Sequence, residues 1–194
     1  GLLQFSWEEK PACVVDGSSS EWTEEDVVLS GPQGSLSMRY DEKYLYFFAE
    51  PEDFDSSADI LYIPIDTTQE SGSTYCENYD LSFERACDFV ICIDRGGTSR
   101  VVVQERYETL WAMHAYETDR VDPYDALRDK NSPLFRPIRL LVQREDPVPV
   151  GGWEAYPTYE TGILREGNAD PDAADYDSLA DFHFTYSGVE IRIP

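Results

Sequence analysis

Basic residues are scarce. The 194-residue chain holds 15 lysines and arginines against 39 aspartates and glutamates, a formal net charge of −24. That deficit excludes polyanion partners first, because nucleic acid and anionic membrane surfaces are held by Lys and Arg displacing counterions. Long apolar runs are missing too: the longest, residues 44–49, falls far short of the roughly 18 residues that a membrane span requires. The only histidines are His114 and His183, and no Gly-x-Ser-x-Gly elbow occurs, so a serine–histidine nucleophile has no frame. Gly31-Pro32-Gln33-Gly34 lacks the lysine and following helix of a phosphate-cradling loop. Cys13, Cys76, Cys87 and Cys92 do not form the two close pairs of a zinc site. Cys87 and Cys92, five apart on one strand, point to opposite faces and cannot pair with each other. Two disulfides would suit a secreted chain, with the connectivity open. The opening Gly1-Leu2-Leu3-Gln4-Phe5 has neither a basic start nor a long apolar core, so no signal peptide is expected in it.

What is present can build a core. The chain is 41% hydrophobic and has 4 Trp, 13 Tyr and 9 Phe, unlike the aromatic-poor composition of a solvated acidic tail. At about 150 residues per domain the length predicts a single domain. Its charge is uneven. Residues 95–144 carry nine basic and seven acidic groups, a balance of +2, which leaves six basic against 32 acidic, or −26, elsewhere. The acids gather at 16–26, 50–59 and 166–181 among Ser, Gly, Pro and Asn, a loop composition. Crowded carboxylates repel one another unless a cation intervenes, and calcium takes such oxygen ligands. Weak calcium binding is therefore expected at Asp53, Asp55 and Asp59, or at Asp170 and Asp172.

Alternation of period two dominates. Strands are expected at 35–40, 44–49, 60–66, 87–94, 100–107, 138–143, 182–186 and 189–193, rich in Val, Ile, Phe and Tyr. Asp41-Glu42-Lys43 and Gly96-Gly97 supply turns, and Leu36, Met38 and Tyr40 share one face of the first strand. Helix is expected only at 123–130, where Asp122 precedes Pro123. The fold class that follows is all-β, an antiparallel β-sandwich with immunoglobulin-like or jelly-roll-like layers and short helices in long loops.

Aromatic rings stack on the apolar faces of sugars, and polar side chains hydrogen-bond the ring hydroxyls. The nearly neutral stretch concentrates such groups. On a strand Arg100, Gln104 and Arg106 share a face opposite Val101 and Val103, and Tyr107 and Trp111 follow. Trp153 stands on a Gly- and Pro-flanked segment, a plug over the core or a ligand platform. Trp22 is better read as core, and Asp16-Gly17 as a turn.

Val14-Val15-Asp16-Gly17, then Glu21-Trp22, then the hairpin Arg39-Tyr40-Asp41-Glu42-Lys43-Tyr44-Leu45-Tyr46 resemble the opening of family 9 carbohydrate-binding modules and their DOMON-like relatives. Residues 88–94 resemble the family's acidic, apolar strand, and Val189-Glu190-Ile191-Arg192-Ile193-Pro194 its Glu-x-x-Ile-Pro strand. The resemblance implies one β-sandwich, a piece of a larger protein that stops short of the family's last strands. It places Phe83-Glu84 at the position of the family's aromatic platform. In sugar-binding members the middle strand carries a ligand-contacting glutamate, where this chain reads Phe89-Val90-Ile91.

Together these readings lead to a non-catalytic carbohydrate-binding or accessory module of a secreted or cell-surface glycan-processing protein of bacterial type. Its partners are an oligo- or polysaccharide and neighbouring domains, with no nucleic acid and no membrane insertion. Sugar contacts are expected from Phe83, Glu84, Gln104, Arg106, Tyr107, Trp111 and Trp153. No catalytic residue and no cofactor other than calcium is expected. The alternatives are a glycoside hydrolase using paired carboxylates and a structural spacer packed on a catalytic neighbour.

Overall fold

The computed structural model describes residues 13–68, 71–107, 131–142 and 157–194. The chain is all-β and antiparallel, in the β-sandwich class that the alternation predicts, and its described helical residues form two three-residue 3-10 turns. No described helix is long and apolar enough to cross a membrane. The chain divides into two compact units, Gly1–Ser56 with Arg165–Pro194 and Ser57–Leu164. The helix expected at 123–130 lies outside the described residues.

In the first unit a 3-10 turn, Glu24–Asp26, leads into β1 (Val27–Gly31), β2 (Gly34–Tyr40) and β3 (Leu45–Pro51), and β12 (Phe182–Phe184) and β13 (Val189–Ile193) close the unit. The sheet order is β1-β2-β3-β13-β12. Asp41 shapes the β2–β3 turn, its Oδ1 accepting the Lys43 and Tyr44 N–H groups at 2.7 Å each. Register fixes two faces. Leu36, Ala49 and Val189 lie side by side, as do Met38, Phe47 and Ile191, which makes one face apolar. The other carries the row Ser37, Phe48, Glu190 and His183.

Leu36, Met38 and Tyr40 share one face of β2, as the alternation predicts, and it is the more exposed face of that strand. Met38 and Tyr40 are exposed while Ser37 and Arg39 are buried. The inversion has a local cause. Arg39 forms a buried ion pair with Asp26, donates to the Glu21 carbonyl and lies 5.4 Å over the Trp22 ring. A desolvated guanidinium is tolerated only with such partners.

The second unit holds β4 (Leu61–Ile65), β5 (Ser73–Cys76), β6 (Leu81–Cys87), β7 (Phe89–Ile93), β8 (Arg100–Gln104), the 3-10 turn Glu105–Tyr107, β9 (Phe135–Pro137), β10 (Arg139–Leu141) and β11 (Thr158–Glu160). Its main sheet runs β4-β7-β8-β9, with β5-β6 and β10-β11 as two-stranded ribbons. Cys76, Cys87, Val90, Val102 and Phe135 form a core, against which Tyr62, Tyr79, Leu81 and Phe83 pack. All four cysteines are free thiols, and burial pushes the Cys92 thiol up to about 11. The Gly96-Gly97 turn is present, with the Gly96 N–H on Asp94 Oδ1 at 2.8 Å.

Candidate functional site

The first site is built on Glu190, the second residue of β13. Glu190 is 1% exposed: β13 lies inside the sheet, and Asp16, Gly17 and Trp22 cover the face it occupies. The strand's alternation turns Glu190 to the same face as Phe48 and His183, its cross-strand partners. A buried carboxylate needs donors, and the segment 14–22 supplies them. Glu190 Oε2 accepts the Gly17 N–H at 2.8 Å and the Asp16 N–H at 3.2 Å. Oε1 accepts the Trp22 indole N–H at 2.9 Å.

Local chemistry shapes the segment for this contact. The Ser18 N–H folds back on Asp16 Oδ1 at 2.6 Å. Gly17 adopts φ +85°, and a Cβ there would lie 2.7 Å from the His183 ring nitrogen Nδ1; glycine serves both needs. The Trp22 ring stacks on Phe48, with centroids 5.8 Å apart. The Asp16–Gly17 turn and the inward-facing Trp22 agree with the sequence reading of both.

Two further carboxylates sit beside Glu190. Ligand oxygens of Asp16, Glu21 and Glu190 lie within 4.8 Å of one another. Burial is the main cause that pushes the Glu190 carboxyl up, from 4.5 to about 7, with the nearby Glu21 charge adding to it; the donors from Trp22, Gly17 and Asp16 pull the other way. Chemically the cluster can share a proton or offer oxygens to a hard cation. In the sequence Glu190 stood out only as the glutamate of the Glu-x-x-Ile-Pro resemblance, and nothing there marked it as buried or gave it a role.

The second site is the end of β8. Tyr107 stacks near-parallel on Phe89, centroids 6.3 Å apart, and its hydroxyl lies 3.4 Å from Asp88 Oδ1. Asp88 is buried and gathers the Thr67 and Thr68 N–H groups on Oδ2 at 3.0 and 3.2 Å. The Arg106 guanidinium sits 4.5 Å over the Tyr107 ring. Its Nε and Nη1 have no hydrogen-bond acceptor among the described residues.

The expected polar stripe does not form. Gln104 is 0% exposed and its Nε2 donates to the Ser132 carbonyl at 2.9 Å. Since β8 lies between β7 and β9, the side chains from Val101 to Gln104 are buried on both faces, and period two carries no outward stripe. The strand then ends at Gln104, and Arg106 and Tyr107 sit on the turn that follows. Phe83 packs on the core and Glu84 is exposed beside it on β6. Of the expected sugar contacts the described structure brings together Arg106 and Tyr107; Trp111 and Trp153 lie outside the described residues.

Among the described residues the group of close carboxylates is Asp16, Glu21 and Glu190, and it includes none of those expected to hold calcium. Asp53, Asp55 and Asp59 are exposed, and Asp53 takes φ 55°. In the loop 166–181 donors from the chain serve the acids. Asp170 Oδ1 accepts the Asp172 N–H at 2.9 Å, Asp175 Oδ1 accepts Asn168 Nδ2 at 3.1 Å, and Asp177 pairs with Arg165 at 2.6 Å. Compared with protein-family models, curated proteins and solved structures, the chain matches none.

Proposed function

We propose that this chain is a non-catalytic carbohydrate-binding or accessory module of a larger glycan-processing protein, secreted or on the cell surface. The observation that carries the reading is Tyr107, an exposed aromatic ring on the turn after β8 with the Arg106 guanidinium 4.5 Å over it. Aromatic rings stack on the apolar face of a sugar, and neighbouring polar side chains take its hydroxyls. The net charge of −24 favours a neutral polyol over an anion there. Arg106 covers one face of Tyr107, so the open aromatic platform is assigned to Trp111 or Trp153, with Glu84 as a further polar contact.

The resemblance to family 9 modules gains separate support. Asp16-Gly17 and Trp22, from one short segment, and Glu190, from the far end of the chain, meet in one hydrogen-bonded group. Their role is structural, holding segment 14–22 on the sheet. The test is electrophoresis through gels containing single neutral polysaccharides, with reducing ends assayed in parallel. Retardation without release of reducing sugar is the expected result. Release of reducing sugar makes the chain a hydrolase, and free migration in every gel leaves the spacer role.

A further inference from the structure

The hydrogen bonds from residues 16–22 to β13 converge on one carboxyl. The Asp16 and Gly17 N–H groups and the Trp22 indole all donate to Glu190. Bonds that do not involve Glu190 pin the stretch on either side. Before it, the Val15 carbonyl accepts the Ala169 N–H at 2.7 Å, and the Val15 side chain packs with Ala169 and Ala180. At its far end Arg39 donates to the Glu21 carbonyl, and the Thr23 N–H bonds the Asp26 carboxylate at 2.8 Å. Between these pins Ser19 and Ser20 are exposed. The stretch is a strap, fixed near its ends and fastened between them to a single group. It is also the cover of Glu190, which is 1% exposed, so a strap that lifts lets water reach the carboxyl.

The fastening lacks a positive charge. Ligand oxygens of Asp16, Glu21 and Glu190 lie within 4.8 Å of one another, and none of the three forms an ion pair among the described residues. The other charged and titratable groups on this face are committed elsewhere. Arg39 of β2 pairs with Asp26 and has Cys13 Sγ at 3.8 Å. Arg192 of β13 donates to the Ser178 carbonyl at 2.8 Å and sits 4.9 Å over the Tyr44 ring. Tyr46 of β3, in register with both arginines, donates to Asp41 at 2.9 Å. His183 of β12 has Nδ1 on the Phe184 carbonyl at 2.7 Å. A buried carboxyl beside two carboxylates and no paired cation is favoured in its protonated form, for which Asp16 and Glu21 offer acceptors. Burial, with the Glu21 charge adding to it, pushes Glu190 from 4.5 up to about 7 against its three donors. Water restores the ordinary value when the strap lifts. Between those two values, docking therefore takes up a proton that the lifted state has released.

We propose that residues 16–22 form a proton-operated strap, docked on Glu190 while the three carboxyls share a proton and released as rising pH removes it. Release uncovers the row Phe48, Glu190 and His183. The pins at Val15 and Glu21 keep the lifted strap near its seat, so the motion is local and reversible. The device belongs to the first unit and is independent of the carbohydrate reading, which rests on the second.

Hydrogen exchange of the whole chain tests it, followed by NMR in chelator from pH 5 to pH 8 and corrected for intrinsic rates. Protection of the Gly17 N–H and the Trp22 indole N–H is expected to fall on the order of fiftyfold over that range, with most of the fall below pH 7. The Arg192 N–H, on the Asp181 carbonyl at 2.7 Å, should stay more protected than either, because the strap opens without the sheet. Glu190→Gln should give lower but level protection. Glu21→Gln, which keeps an acceptor for the Val14 N–H, should shrink the fall, and His183→Gln should retain it. Level protection in the parent, an equal fall in Glu190→Gln, or loss of the fall in His183→Gln would overturn the proposal. So would Gly17 and Arg192 showing equal protection at every pH, because the strap then opens only when the sheet does.

Discussion

Replacing Glu190 by Gln separates the burial of the carboxyl from its charge. The folded protein holds this group at about 7, raised from 4.5, so between those values the folded state binds a proton that the unfolded state has released. Stability from this group is fully present below the unfolded value and is lost as pH rises through the folded one. At 1.36 kcal/mol per unit, the loss between pH 4.5 and 7 is on the order of 3 kcal/mol. The glutamine of the variant cannot titrate and escapes that loss. It carries its own cost, because its amide NH2 must face N–H donors from either Trp22 or Gly17 and Asp16, about 1–3 kcal/mol at every pH. The constant cost cancels when the gap between parent and variant is followed with pH. Urea unfolding of both proteins at pH 5 and pH 8, in chelator, is the assay. The variant is expected to gain about 2–3 kcal/mol relative to the parent on going from pH 5 to 8. A gap that stays level within about 0.5 kcal/mol refutes the placement of a proton on this cluster.

Other substitutions probe the same frame. Trp22→Phe removes the indole donor to Glu190 and part of the stack on Phe48, and should lower unfolding stability by about 1–3 kcal/mol in urea melts. Gly17→Ala forces a Cβ against the His183 ring at φ +85°; a loss of about 1–3 kcal/mol is expected, larger than an exposed Gly→Ala change produces. Arg39→Met leaves buried Asp26 without its ion-pair partner and should cost about 3–5 kcal/mol by the same melts. Gln104→Ala should destabilise the second unit by about 1–3 kcal/mol through loss of its bond to Ser132, while glycan retention stays at the parent level.

Eight of the thirteen described strands were legible because period-two runs and turn residues coincide there, whereas β1, β5, β6, β9 and β11 were not expected. The 44–49 and 189–193 runs sit within a residue or two of β3 and β13. Burial was less legible, for reasons that lie in topology. Alternation in residues 100–107 suggests one wet face, but a strand between two neighbours that is covered on both sides buries polar and apolar positions alike, as it does Gln104. In β2 the polar positions face inward because Arg39 finds Asp26, a partner that local pattern cannot reveal. β1 is hidden in the sequence because Val-Val-Leu-Ser-Gly neither alternates nor stands apart from the acidic turn before it. Glu190 reads like any outward residue of Val-Glu-Ile-Arg-Ile. Only the sheet order, with β13 between β3 and β12, puts it under segment 14–22. The segments Asp16-Gly17, Glu21-Trp22 and Val189–Ile193 are readable by eye, whereas their meeting on one carboxyl depends on contacts across more than 160 positions, |i−j| being 168 for Trp22 and Glu190.

Carbohydrate binding is the central claim, and a glycan array probed with the parent chain, Arg106→Ala, Trp111→Ala, Trp153→Ala and Glu190→Gln tests it most directly. The parent is expected to hold at least one neutral glycan. Arg106→Ala and at least one of Trp111→Ala and Trp153→Ala should weaken that signal about tenfold or more with unchanged melting, and Glu190→Gln, which alters none of the proposed sugar contacts, should keep it. An array on which the parent holds nothing, or on which Arg106→Ala, Trp111→Ala and Trp153→Ala all hold every glycan as the parent does, contradicts the claim.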